Sequence, residues 1–135
     1  MSDVLLDVQD VTTVFDTARG PLRAVNGVSF TLRQGETLGI VGESGSGKSV
    51  LMRTVMRLLP PERVQTSGEV IFDGDDLAKR SIDDLRARWG KDIAIVFQNP
   101  MTSLNPVMTI GRQVMEPMLL HLGIDRRTAH ARAID

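Results

Sequence analysis

The chain has 135 residues, 41% of them hydrophobic and 24% charged, and this length and composition fit one globular domain. A net charge of −1 gives no electrostatic footprint for nucleic acid, and the absence of cysteine excludes disulfides and thiolate metal sites. The sequence has neither a signal-peptide pattern nor an apolar run near the roughly 20 residues that span a bilayer. We therefore expect a soluble chain that reaches a membrane only through a partner.

The first third of the chain is typical of β-structure. Short apolar stretches separated by turns with glycine predict three strands, at Val4–Val8, Val11–Phe15 and Ala24–Leu32. The apolar run Thr37–Val41 predicts a fourth strand, buried on both faces. A Gly/Ser segment follows directly, and helical spacing then predicts a helix over Ser49–Leu59, stopped by two prolines.

The middle of the chain predicts a second alternation of strand and helix. Glu69–Phe72 is expected to be a strand closed by a turn at Asp73-Gly74. Ser81 is expected to cap a helix, with acidic residues in its first turn. The apolar run Asp92–Phe97 predicts a further strand.

The last third changes to loop and helix. Residues 99–106 carry loop chemistry, and apolar residues then recur every fourth position on one helical face, at Ile110, Val114, Met118 and Leu122. Pro117 is expected to kink or end this helix, and Arg126–Ile134 predicts another. A methionine cluster in this region suits either an adaptable partner surface or core filling: Met101, Met108, Met115 and Met118.

The strongest chemical signal is a phosphate-binding loop between a predicted strand and a predicted helix. The pattern G-x-x-x-x-G-K-S is formed by Gly42, Glu43, Ser44, Gly45, Ser46, Gly47, Lys48 and Ser49. Glycine allows the backbone to curl so that its N–H groups face phosphate, while Lys48 supplies positive charge and Ser49 an oxygen ligand for Mg²⁺. The sequence therefore predicts binding of a nucleoside triphosphate, with MgATP as the expected ligand.

The surroundings of this loop resemble a known family. Four segments carry the resemblance: 23–30, 39–49, 67–74 and 95–106. They are similar to the ATP-binding subunit of ABC transporters, and the Ser103-Leu104-Asn105-Pro106 sequence narrows this to the oligopeptide, dipeptide and nickel importer group. The resemblance covers essentially the whole chain and corresponds to the N-terminal half of such a subunit.

The resemblance implies a fold and a set of site residues. The fold is α/β, a P-loop NTPase core with an N-terminal antiparallel β subdomain (both within 1–98) and the start of an α-helical subdomain (99–135). The loop from Gly42 to Ser49 would hold ATP, and Gln98 would contact Mg²⁺ and the attacking water. Phe15 would stack on adenine. From the residues alone, Phe15 equally suits strand packing in the core, and Gln98 an exposed polar residue at a strand end.

The resemblance also implies partners and a location. The complete protein would pair with a second ATP-binding subunit, as a homodimer or heterodimer, and act on membrane permease subunits through the helical segment after Gln98. It would serve an extracytoplasmic substrate-binding protein indirectly, from a peripheral position on the cytoplasmic face of the inner (plasma) membrane. No nucleic-acid partner is expected.

Several motifs of the complete family do not occur in this sequence. These are a Walker B strand ending in Asp-Glu, the Leu-Ser-Gly-Gly-Gln signature and a later switch histidine. Asp73 follows only three apolar residues and precedes glycine, which indicates an ordinary turn. The chain is therefore expected to be truncated and to bind ATP without hydrolysing it. The alternatives are a soluble P-loop NTPase or kinase without a membrane partner, and a non-catalytic fragment that associates through exposed strand edges.

Overall fold

The computed structural model describes residues 3–99 and 103–134. The chain forms two compact units, Met1–Arg80 (unit 1) and Ser81–Asp135 (unit 2). The described residues form strands β1 (Val4–Thr17), β2 (Gly20–Arg33), β3 (Val64–Phe72) and β4 (Asp75–Asp76), helices α1 (Lys48–Val55), α2 (Ile82–Arg88), α3 (Ile110–His121) and α4 (Arg126–Ile134), and a 3₁₀ turn at Leu77–Lys79. The subdomain boundary at residues 98 and 99, which the resemblance implies, stays a prediction.

Unit 1 is built on an antiparallel sheet with the strand order β2-β1-β3-β4. The two short strands predicted before residue 16 are one continuous strand, β1, with an irregular register and a left-handed Asp10 at φ +49°. Opposite lies Gly68 of β3, where a Cβ would come within 2.5 Å of the carbonyl oxygens of Gln9 and Asp10. This close approach of two strands requires glycine at position 68. The predicted antiparallel β-structure is thus confirmed.

Helix α1 packs on this sheet. Its side chains Leu51, Thr54 and Val55 are buried, as is Thr13 of β1. The hydroxyl groups of Thr13 and Thr54 share a hydrogen bond of 2.8 Å inside this interface. Because both groups are buried and mutually satisfied, the bond fixes the position of the helix along the strand.

Helix α1 ends earlier than the sequence predicts. The predicted end at Leu59 is wrong, because Arg57 adopts a left-handed φ of +53° and stops the helix. The Arg57 N–H donates to the Thr54 carbonyl, and the next N–H, of Leu58, donates to the Arg53 carbonyl, both at 2.9 Å. These bonds form a Schellman motif, in which glycine is the usual left-handed residue.

The Arg57 side chain compensates for its unfavourable backbone. Its guanidinium donates to the carbonyl oxygens of Leu77 at 3.0 Å and Arg80 at 2.6 Å. Arg80 in turn contacts both carboxylate oxygens of Asp75, at 2.6 to 2.9 Å. Since glycine could make none of these contacts, arginine at position 57 ties the end of α1 to the 3₁₀ turn.

The turn between β3 and β4 is the ordinary turn that the sequence predicts. Asp73 and Gly74 have φ values of +49° and +77°, both left-handed, as in the primed turns that join hairpin strands. Strand β3 contains the predicted strand Glu69–Phe72 and begins five residues earlier, at Val64. Asp73 is therefore a turn residue and does not end a Walker B strand.

Two apolar segments predicted as strands do not form strands. Thr37–Val41 and Asp92–Phe97 have no strand pairing within the described residues, apart from one isolated bridge at Ile93. Val41 is 93% exposed and Val96 is 97% exposed. Both strand predictions are wrong for this chain, because a buried parallel strand needs neighbouring strands and covering helices, which these segments lack in the described structure.

The helices of unit 2 follow their predicted start signals. Ser81 caps α2 through a capping box: its hydroxyl accepts from the Asp84 N–H at 3.1 Å, and its own N–H donates to the Asp84 carboxylate at 3.2 Å. Pro117 lies inside α3 without ending it, and α4 has the predicted bounds. None of the helices described within 3–99 and 103–134 is long and apolar enough to cross a membrane.

The predicted apolar face of α3 is largely uncovered. Ile110 is 64% exposed, and Val114 and Leu122 are also exposed. The buried residue of α3 is instead Met115, and Ala129 of the neighbouring α4 is also buried. Of the methionine cluster, Met115 thus fills the core, whereas Met101 lies outside the described residues.

Candidate functional site

A hollow of about 430 Å³ lies beside the predicted phosphate loop in unit 1. Its walls come from β2, the end of the segment Thr37–Val41, the loop and α1: Arg23, Ala24, Val25, Asn26, Val28, Ile40, Val41, Gly42, Ser46, Gly47, Lys48 and Leu51. A larger hollow of about 610 Å³ in unit 2 contains none of the loop residues. We place the candidate site at the smaller hollow because the phosphate-binding chemistry is there.

The loop adopts the tight curl that its glycines were predicted to allow. Gly45 and Gly47 have φ values of +82° and +92°, which are left-handed. The Ser46 N–H donates to the Glu43 carbonyl at 3.2 Å, which closes a turn, and the Leu51 N–H donates to the Gly47 carbonyl at 2.8 Å, which begins α1. A Cβ on Gly47 would lie 2.3 Å from the carbonyl oxygen of Ala24 in β2, so the loop passes against that strand without room for a side chain.

The ammonium group of Lys48 is held at the centre of the loop. It donates to the carbonyl oxygens of Gly42 and Glu43, each at 2.7 Å, and to the Ser46 hydroxyl at 3.2 Å. Lys48 also belongs to the residues that line the hollow. The lysine is thereby preorganised for an anion, since its position is set before the anion arrives.

The start of α1 is suited to phosphate in the same way. Gly47 is the N-cap residue, and within the described residues no side-chain cap hydrogen bond is made at the start of the helix. The first N–H groups of a helix favour an anion, which they can satisfy by hydrogen bonds and by the helix dipole. Ser49, in the first turn, is exposed, and no hydrogen bond joins its hydroxyl to another residue of the described ranges. That oxygen is a suitable ligand for a hard cation.

Phe15 lies outside this hollow. It is half-buried near the end of β1, paired with Leu22 of β2 and Val64 of β3. Neither Phe15 nor these partners belongs to the residues that line the hollow. Its stacking on adenine stays a prediction, and packing within the sheet stays the alternative.

Gln98 belongs to unit 2 and is exposed. Its predicted role at Mg²⁺ and the attacking water stays a prediction. Of the neighbouring sequence, Pro100, Met101 and Thr102 lie outside the described residues. The Ser103 hydroxyl donates to the Asn99 carbonyl at 2.7 Å.

Gln113 of α3 binds the backbone of residues 105–108, directly before this helix. Its side-chain oxygen accepts from the Asn105 N–H at 2.8 Å, and its amide nitrogen donates to the carbonyl oxygens of Asn105 and Met108, both at 3.0 Å. One side chain therefore satisfies three backbone groups of this segment. Gln113 was not among the predicted residues, because a single glutamine on a polar helix position gives no signal in the sequence.

The fold around this site matches that of solved nucleotide-binding proteins. The dimeric post-hydrolysis state of the ATP-binding cassette MJ0796, bound to ADP and Pi, superposes with a TM-score of 0.74 at 24% identity, over 96% of this chain and 54% of that chain. A dimeric structure of the same cassette, described as a bacterial ABC transporter cassette, gives the same TM-score at 23% identity. At this identity the likeness defines the fold alone, and it confirms the predicted ABC ATPase fold class.

The sequence comparison defines the family. The sequence model of the family described as "ABC transporter" matches residues 25–134, and the chain therefore belongs to the ABC transporter family. Among curated relatives, the oligopeptide transport ATP-binding protein OppD of Bacillus subtilis is 45% identical over 132 residues, which are 97% of this chain and 37% of the relative.

Other relatives have a similar identity and coverage. The probable peptide ABC transporter ATP-binding protein y4tR of Sinorhizobium fredii is 46% identical, over 99% of this chain and 40% of its own length. The dipeptide transport ATP-binding protein DppD of Bacillus subtilis is 44% identical, over 93% of this chain and 38% of its own length. The chain thus spans about two fifths of the length of these relatives.

Proposed function

We propose that this chain binds the phosphates of MgATP as part of the nucleotide-binding subunit of an importer for peptides or nickel. The observation that carries the proposal is the preorganised Lys48, held by two loop carbonyls beside the uncapped start of α1. The names of the most similar relatives support peptides as the transported class. They also favour a transporter over a soluble kinase.

The loop residues divide the work on the nucleotide. The N–H groups of 43–49 would face the phosphates, Lys48 would contact the β- and γ-phosphates, and Ser49 with Gln98 would hold Mg²⁺. The Ser49 hydroxyl fits this role, because it is exposed at the helix start and makes no other hydrogen bond within the described ranges. Bound Mg²⁺ would neutralise charge on the phosphates. Phe15 would reach the adenine from β1.

In the complete protein, we propose that two such subunits bind ATP between them and drive a membrane permease. The complete protein would act at the cytoplasmic face of the inner membrane, with an extracytoplasmic protein delivering substrate to the permease. Uncovered apolar residues, Ile110 and Val114 of α3 and Leu122 directly after it, support a permease contact on unit 2. By itself this chain would bind ATP without hydrolysing it, because its sequence carries no Asp-Glu pair after an apolar strand.

The proposal is tested by nucleotide binding to the 135-residue chain. Calorimetry with MgATP should give saturable binding, and Lys48→Ala should weaken it by about tenfold or more, because a charged hydrogen bond to phosphate is lost. Lys91→Ala removes the same charge from an exposed position in unit 2 and should leave the affinity unchanged. Equal affinities for the wild type and Lys48→Ala would sink the proposal.

A further inference from the structure

A β-bulge in β2 brings that strand against the phosphate loop. In the pairing with β1, Thr13 lies opposite Val25 and the next residue, Val14, lies opposite Arg23, so Ala24 is an extra residue in β2. The carbonyl oxygen of Ala24 occupies the position next to Gly47 where a side chain would otherwise lie. Bulges commonly redirect a side chain beside a functional site. Arg23 precedes the extra residue and lines the hollow beside the loop.

Arg23 lines the same hollow as the loop residues, and no carboxylate of the described residues forms an ion pair with it. Its guanidinium donates to the neutral amide oxygen of Asn26 at 3.1 Å. By contrast, Arg33 on the same strand pairs with the Asp3 carboxylate at 3.3 Å. Arginine has five N–H donors, so Arg23 retains donors for a ligand.

Lys48 brings one positive charge to this loop, fewer than the negative charges of a phosphate chain. All three of its N–H donors already have acceptors, two of them backbone carbonyls at 2.7 Å. The third hydrogen bond, to the Ser46 hydroxyl, is longer, at 3.2 Å. A nucleoside di- or triphosphate carries several negative charges, and a planar guanidinium binds phosphate oxygens in pairs. A second cation at the hollow would therefore bind phosphate oxygens that Lys48 does not.

We propose that Arg23 is a second phosphate-binding residue of this site and contacts the phosphate chain of a nucleoside di- or triphosphate from the β2 side. The inference rests on the proposed nucleotide binding and adds a residue outside the G-x-x-x-x-G-K-S loop. The bulge at Ala24 lies next to Arg23 in β2. In the chain without ligand, the guanidinium of Arg23 donates to the side-chain oxygen of Asn26.

The test compares Arg23→Gln, Arg23→Lys and the control Arg33→Gln with the wild type, in competition against a fluorescent ATP analogue. The competitors are ATP, inorganic tripolyphosphate and adenosine, each with Mg²⁺. Arg23→Gln should weaken ATP and tripolyphosphate about tenfold, because a charged hydrogen bond is lost, and should leave adenosine unchanged. Arg23→Lys should lose less, since it keeps the charge without the planar fork. Arg33→Gln should match the wild type.

Other results would overturn either the role of Arg23 or the proposed function. Arg23→Gln with the affinities of Arg33→Gln would overturn the inference, and so would a loss for ATP and adenosine with tripolyphosphate unaffected, which would indicate stacking on the base. Thermal denaturation of each variant checks that the fold is kept. Arg23→Lys tests separately whether the charge alone supports binding. Absent binding by the wild type would refute the proposed function itself. Normal binding by Arg23→Gln beside lost binding by Lys48→Ala would refute only the role of Arg23.

Discussion

Gly45 and Gly47 have the same left-handed backbone but different surroundings, and this difference separates two reasons for glycine in the loop. A side chain on Gly45 would meet nothing within 4 Å, whereas one on Gly47 would meet the Ala24 carbonyl at 2.3 Å. Alanine at either position suffers the same left-handed strain, about 1–2 kcal/mol. Only alanine at 47 must also push the loop away from β2.

We therefore expect Gly47→Ala to weaken MgATP binding clearly more than Gly45→Ala, because it displaces the loop and the start of α1. Calorimetry measures the two affinities, and chemical denaturation measures the free energies of unfolding. Gly45→Ala serves as the control for backbone strain. Equal losses of affinity in the two variants would show that the contact with Ala24 has no part in shaping the site.

Single site residues could be predicted from the sequence where the residues that act together are close in the chain. Lys48 and the loop glycines were identified because their spacing in sequence is itself the chemistry. The Thr13–Thr54 hydrogen bond and the approach of Arg23 were not identified, because each joins residues far apart in the chain. Such pairs depend on the strand register and its bulges, which alternation in a sequence does not specify.

Helix α4 offers a pH test at the scale of an element. The Asp125 carboxylate accepts from the backbone N–H groups of Arg127 and Thr128 at 2.9 and 3.0 Å, and from the Thr128 hydroxyl at 2.8 Å. The backbone hydrogen bond from Thr128, followed by that from its hydroxyl, lowers the pKa of Asp125 below the usual 3.8. The cap therefore stabilises α4 above the unfolded pKa of 3.8 and is lost as the pH falls through the lower folded pKa.

We expect α4 to fray during acidification below about pH 4, as seen in the backbone chemical shifts of Ala129. Asp125→Asn keeps an oxygen that can cap the helix but removes the titrating group. Its Ala129 shifts should therefore stay constant over the same range. An identical acid transition in both chains would show that another group controls the end of this helix.

Element types were predictable where a short segment contains its own reason to form. The helix cap at Ser81 and the turn at Asp73-Gly74 were predicted because each depends on residues within a few positions in the sequence. The end of α1 was missed because Arg57 adopts a conformation typical of glycine, stabilised by carbonyl groups twenty or more residues away. Arginine is a good helix former, so propensity pointed the wrong way.

Whether the two apolar segments form strands depends on the whole molecule. Thr37–Val41 and Asp92–Phe97 have the composition of strands buried on both faces, yet pairing and cover must come from other residues. Both segments are apolar, but the sequence of one segment does not show whether other strands pair with it. The result is large apolar exposure, including Leu38 at 41% and Phe97 at 45%. Uncovered strand-like segments of this kind favour association between chains.

We expect the chain to self-associate through these segments without nucleotide. Val41→Asp and Val96→Asp should each weaken association by about tenfold, because burying a valine side chain contributes about 1.5 kcal/mol. Val107→Asp is the matched control, since Val107 is 88% exposed but lies outside both segments. Sedimentation velocity at several concentrations, with and without MgATP, measures the effect. A wild-type chain that stays monomeric would contradict the prediction, and so would equal effects of all three substitutions. Association that appears only with MgATP would point instead to pairing of two subunits around nucleotide.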